Sequence, residues 1–126
     1  TTPHKEFGYT LDDNARALIV CIWLVEKKYN KKIISLIKTY FSFMKTCQRK
    51  DGTFTNYIGI SGKSHTNQNN REDLEDSQSR AMWALSEIIG SKVLPDNMKD
   101  EARKMYVVNL KTARTQYLAK KQLQEL

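Results

Sequence analysis

The chain has 126 residues and a formal net charge of +7, with 40% hydrophobic and 28% charged residues. That length admits one domain with a core of its own, in the composition of an ordinary globular chain. No apolar run reaches the roughly 18 residues a membrane span needs. His4 and His65 stand alone, and Cys21 and Cys47 lie inside apolar helical patterns as small core hydrophobes. Zinc, disulfide, phosphate-loop and nucleophile–histidine chemistries therefore all lack a residue set, and no cofactor is expected. The chain opens TTPHKEF, with neither an initiator Met nor a signal peptide, and reads as an excised fragment or a processed product.

Taken in order, residues 8–25 (GYTLDDNARALIVCIWLV) open with a turn, pass two adjacent carboxylates and an arginine, and run into an apolar stretch. Thr10 suits an N-cap and Asp13 stands three residues on, a weaker form of the capping-box acid. The first helix is expected over residues 11–29. From Ala17 to Val25 it is apolar all round, the pattern of a helix covered on every side. A very short turn at Asn30 sends the next helix back antiparallel. That helix, residues 31–47, carries Ile33, Leu36, Ile37, Tyr40, Phe41 and Met44 as one stripe and is amphipathic.

Residues 48–74 form a long connection. KDGTF is a turn signal, TNYIGI has the alternation of an extended segment, and residues 61–70 are polar without periodicity and expected to be mobile. A third helix is expected over residues 75–90, stopped by Gly90 and again apolar on nearly every face. Pro95 breaks the chain and Asp96 can cap a fourth, amphipathic helix, with residues 111–126 extending it or forming a fifth. The chain is thus expected to be one all-α domain of antiparallel helical hairpins, four or five helices in all, alternating buried and amphipathic.

The lysines do not make a stripe interleaved with aromatics. Lys27, Lys28, Lys31 and Lys32 gather at the first helix–helix turn, where a helix C-terminus favours cations. A solvated basic face accounts for them better than a phosphate-binding surface, so nucleic acid is not the expected partner.

An internal period is the most informative feature. Aligning Asp12 with Asp76 superposes Arg16 on Arg80 and Ala17 on Ala81, so DDNARA and DSQSRA each place an acid and an arginine four apart before an apolar run. Short turns at one end and the long connection at the other bring the mouths of both buried helices to one face. Asp12, Asp13, Glu75, Asp76, Asn56 and Tyr57 converge there by topology.

Such hairpins with acids at the inner mouths resemble the six-hairpin glycosidase superfamily, the (α/α)6 toroids. GYTLDDNARALIV, DGTFTNYI and EDSQSRAMWALSE, in that order, look like the helical toroid region of bacterial carbohydrate-active proteins, which often follows a glycosyltransferase-like domain in one chain. The resemblance covers residues 7–90. It carries to Gly8, Tyr9, Asp12, Asp13, Asn14 and Arg16, to Asp51, Gly52, Phe54, Asn56 and Tyr57, and to Glu75, Asp76, Ser77 and Arg80. It implies a carbohydrate partner and a partial toroid, because four or five helices are a piece of a twelve-helix ring. The isolated chain is then expected to be inactive.

On this reading Asp12, Asp13, Glu75 and Asp76 are the candidate acid and base, and a separation set by adjacent helices favours inversion. Tyr9, Arg16, Asn56, Tyr57 and Arg80 are the candidate substrate-binding residues. The competing reading is structural: acids in a first helical turn complement its dipole, and each arginine pairs with the acid four residues before it. Phe54 and Trp83 could offer stacking faces, though Trp83 is expected in the core. An uncovered apolar flank on a partial ring implies either a homodimer or contact with the rest of a parent chain. The alternative function is a non-catalytic glycan-binding or structural module.

Overall fold

The fold is that of a computed structural model, which describes residues 9–58 and 75–125. The expected mobility of residues 61–70 falls outside them. A two-residue strand β1 (Tyr9–Thr10) leads into helix α1 (Leu11–Lys27), which turns back through residues 28–30 into α2 (Lys31–Cys47). A second short strand β2 (Tyr57–Ile58) pairs antiparallel with β1, and helices α3 (Glu75–Gly90) and α4 (Asp96–Gln124) complete the order. The protein is all-α, built of helical hairpins, with β1–β2 as a minor pairing at one end.

The caps explain the boundaries. Thr10 Oγ1 accepts the Asp13 N–H at 3.2 Å, and Asn30 Oδ1 accepts from the N–H groups of Lys32 and Ile33 at 2.9 and 3.2 Å. Both satisfy donors that a helix start leaves orphaned. At α4 the cap position belongs to Pro95, without a side-chain bond, and Asp96 is the first helical residue. The expected cap therefore moves one residue inward, where its charge still complements the dipole. The tail makes no fifth helix but extends α4 to 29 residues. Only the first third of α4 is anchored in the core, through Met98, Ala102 and Met105.

α1 packs against both α2 and α3, and α3 against α4. Asp12 reaches Arg80, the Trp23 ring meets Trp83, and Glu26 accepts from Ser91, so ascending positions meet and α1 and α3 run parallel. Leu18, Ile19 and Ile22 share one core with Leu85 and Ile88, and Met82 packs half-buried against it. From α2 come Ile37, Phe41, Met44 and Cys47.

The expectation that α1 and α3 are covered on every side is overturned. Val20, Trp23 and Leu24 are 49%, 47% and 48% exposed, and Trp83 is 47% exposed rather than core. Two neighbours cover two flanks of α1, and among the described residues nothing covers the third.

The connection after α2 is built on its own hydrogen bonds. Phe54 is fully buried, and residues Gln48 and Phe54 form an isolated antiparallel bridge. Gly52 turns at φ +92°, and a Cβ there would lie 2.6 Å from the Val108 carbonyl carbon. Only glycine allows both that conformation and that approach.

Candidate functional site

The N-terminal mouths of α1 and α3 meet as the period implied, but their side chains pair differently. Asp12 accepts from the Arg16 Nε at 3.2 Å through one oxygen and from the Arg80 Nη1 through the other. The first pair is the expected i,i+4 contact. The second is not: Arg80 crosses to α1 instead of pairing with Asp76 on its own helix. The physical reason lies in the packing. Asp12 and Arg80 both face the α1–α3 seam, their side chains each 27% exposed, whereas Asp76 faces water. A cation in a partly desolvated seam gains more from an acid held there than from a solvated one.

Asp12 is fixed from behind as well. Its backbone N–H donates to Asn56 Oδ1 at 3.1 Å, and the Leu11 N–H donates to the Asn56 carbonyl at 2.7 Å. Asn56, only 8% exposed, thus acts as a second cap for α1 supplied from the loop. Asn14 Nδ2 donates to the Thr10 carbonyl at 2.7 Å, closing the same turn. Asp13 and Asp76 are exposed at this end. Arg16 keeps most of its guanidinium in water, its side chain 61% exposed. β1 and β2 place Tyr9 and Tyr57 beside the mouth and α3 begins at Glu75; the side chains of these three lie outside what is described.

A helix residue to which the motifs assign no role proves central. Gln78, in the first turns of α3, accepts the Phe54 N–H at 3.0 Å and donates to the Phe54 carbonyl, so one side chain pairs with the segment as a strand would. Gln48 Nε2 donates to the carbonyls of Gly52 and Met105, Asn109 Nδ2 to that of Gly52, and Thr112 Oγ1 to that of Asp51. The DGTFTN segment is therefore clamped between α3 and α4. Phe54, offered as a stacking face, is the buried plug of this clamp and presents no ring to solvent. Asp51 accepts from the Thr53 hydroxyl and N–H, which hold its carboxyl below the usual range. A cleft of about 500 Å³ opens alongside, lined by Arg49, Asp51, Gln78, Ser79, Asn109 and Gln116 among others.

Burial pushes both thiols up, that of Cys47 to about 12, so neither is a reactive nucleophile. Among the described residues no group of His, Cys, Asp and Glu is arranged to hold a metal ion. No described helix is long and apolar enough to cross a membrane. Compared with protein-family models and with curated protein sequences, the chain matches none of either.

Proposed function

We propose that the chain is a helical module of a carbohydrate-active protein that binds glycan at the α1–α3 mouth rather than cleaving it. The observation that carries the non-catalytic reading is the state of Asp12, whose two oxygens each carry a guanidinium contact and whose N–H is capped by Asn56. An acid so engaged is a strut between helices, and it has no oxygen unencumbered for a glycosidic bond. The carbohydrate class comes from the motif resemblance, with the exposed Arg16 guanidinium as the donor toward sugar hydroxyls. The partial (α/α)6 toroid belongs to the same proposal, supported by the parallel α1 and α3 with α2 and α4 outside them.

A second reading, acid/base hydrolysis, keeps one specific support: Asp13 and Asp76 are both exposed at the same end of two parallel neighbouring helices. Two carboxylates across one opening are what inverting hydrolysis uses. Titration against soluble oligosaccharides of glucose, mannose, galactose and N-acetylglucosamine, with reducing ends assayed in parallel, separates the two. Binding without release of reducing ends, weakened by Arg16→Ala, is the expected result. Turnover lost in Asp13→Asn or Asp76→Asn establishes the hydrolase instead, and absence of binding to every oligosaccharide removes the glycan reading.

A further inference from the structure

We propose that the face of α1 left uncovered by α2 and α3, together with the α1–α2 turn, docks on an anionic lipid surface. Val20, Trp23, Leu24 and Lys27 follow one another at i, i+3, i+4 and i+7 and so share one side of α1. The three apolar members are each about half exposed, and Trp83 extends the face from α3, its ring 6.1 Å from that of Trp23. With aromatic side chains of about 150–250 Å², the four leave on the order of 400 Å² of apolar surface in water. A contiguous patch of that size on a monomer is often functional.

The face runs directly into a cluster of cations. Lys27, Lys28, Lys31 and Lys32 are all exposed, and Tyr29 between them is 60% exposed. Two acids, Glu26 and Glu87, stand at the same end, so the four lysines keep an excess of positive charge there. Glu26 is turned toward α3, accepting from the Ser91 hydroxyl and the Lys92 N–H, and Glu87 accepts from Trp83 Nε1 at 3.2 Å. The exposed Asp13 and Asp76 lie at the other end of the same two helices.

Indole and phenol rings beside aliphatic side chains, bordered by lysines, are what the headgroup boundary of an anionic bilayer accepts. The rings sit at headgroup level, the aliphatic groups enter the acyl boundary, and the lysines meet the surface potential. The alternatives use the surface less fully. A nucleic acid would engage the lysines but leave Val20 and Leu24 in water. A second copy would bury the apolar strip, since about half of a standard interface's roughly 800 Å² per partner is apolar, but would leave the lysines of the turn at its rim.

The test is sedimentation of the whole chain with vesicles of phosphatidylcholine alone and of phosphatidylcholine with about one-quarter phosphatidylserine. Tryptophan emission is recorded on the same samples. Binding to the anionic vesicles only, a blue shift of emission, and loss of binding near 0.5 M salt are expected. Each lysine at such a surface contributes about five-fold, so replacing all four by Gln weakens binding more than a hundred-fold. Trp23→Ala, with helicity checked by circular dichroism, weakens binding while leaving its salt dependence in place. Equal binding to neutral vesicles, or none to either kind, overturns the proposal. So does vesicle binding indifferent to Trp23→Ala, a dimer in solution that this substitution dissociates, or binding to a DNA duplex at physiological salt without binding to vesicles.

Discussion

Replacing Asp12 separates a structural strut from a catalytic acid, because the two roles predict opposite signs of stability change. Asp12 makes two ion pairs of different standing. Its partner Arg16 lies on the same helix and is 61% exposed, which limits that coupling to about 0.3–0.5 kcal/mol. Its pair with Arg80 joins two helices, both side chains 27% exposed. Hydrogen bonds to charged groups contribute about 1.5–3 kcal/mol, and discounting for the remaining solvent leaves about 1 kcal/mol. The charge also complements the start of α1, worth about 0.3–1 kcal/mol. Asp12→Ala should therefore cost about 2 kcal/mol and Asp12→Asn about 1 kcal/mol, since the amide keeps an acceptor. Urea unfolding followed by circular dichroism, with double-mutant cycles to Arg80→Ala and Arg16→Ala, reads each coupling. The Asp12–Arg80 coupling should exceed the Asp12–Arg16 coupling at least two-fold or so. Stabilisation by Asp12→Asn, the behaviour of an acid retained for chemistry at the expense of the fold, would refute the strut, as would equal couplings to both arginines.

Three other perturbations test the loop and the core. Gly52→Ala places a methyl 2.6 Å from the Val108 carbonyl carbon and 2.7 Å from the Asn109 nitrogen, both main chain, and forces φ +92° on a residue with a Cβ. A loss above about 2 kcal/mol in urea is expected, and a change under about 0.5 kcal/mol would contradict the clamp. Gln78→Leu strands the N–H and carbonyl of buried Phe54, at about 1–3 kcal/mol each. Thermal unfolding should show the drop, with Gln78→Glu, which keeps an acceptor for the N–H, falling between. Cys47 has its folded thiol pushed from 9.0 to about 12, so the unfolded state loses its proton first as pH rises. The stability from the neutral buried thiol is whole below about pH 9 and declines toward pH 12, by about 1.4 kcal/mol per unit. Subtracting the stability of Cys47→Ala from that of the wild type at each pH isolates this slope, and a flat difference from pH 8 to about 10.5 would show that burial does not hold the thiol neutral.

Helix limits were legible where a boundary has a local cause. Thr10 and Asn30 cap through their own side chains, and Lys31–Cys47 was expected at its observed limits. α3 ends at Gly90 as expected, but without the positive φ of a glycine stop, Ser91 making the turn instead. The α1–α3 seam was legible too, because the period put acid, arginine and apolar run in the same order twice. What was not legible has its cause elsewhere in the chain. Gln78 binds a segment 24 residues away, and Asn56 caps a helix 44 residues away. Topology brings Asn56 to the mouth, but neither role leaves a mark in its own neighbourhood. A glutamine in the first turns of a helix reads as an ordinary solvated residue until the strand-like segment it pairs with is in place.

The two tryptophans mark the same limit from the other direction. A run such as ALIVCIWLV states that apolar side chains surround a helix, and it says nothing of how many neighbours are there to cover them. α2 covers one flank and α3 another, and this buries Leu18, Ile19, Ile22 and Val25. Val20, Trp23 and Leu24 remain on the third side, where Trp83 joins them. The repeat explains why both helices contribute to that side. Each inner helix has the same polar mouth and the same apolar girth, so two of them side by side leave a continuous apolar strip unless something lies across it. That strip ends at the mouth in Asp13 and Asp76 and at the turn in Lys27 and Lys28, so its two ends carry opposite charge. Glycan binding at the acidic mouth and lipid docking at the basic turn thus use opposite ends of one helix pair. A substitution at Arg16 should leave vesicle binding intact while one at Lys31 or Lys32 leaves oligosaccharide binding intact.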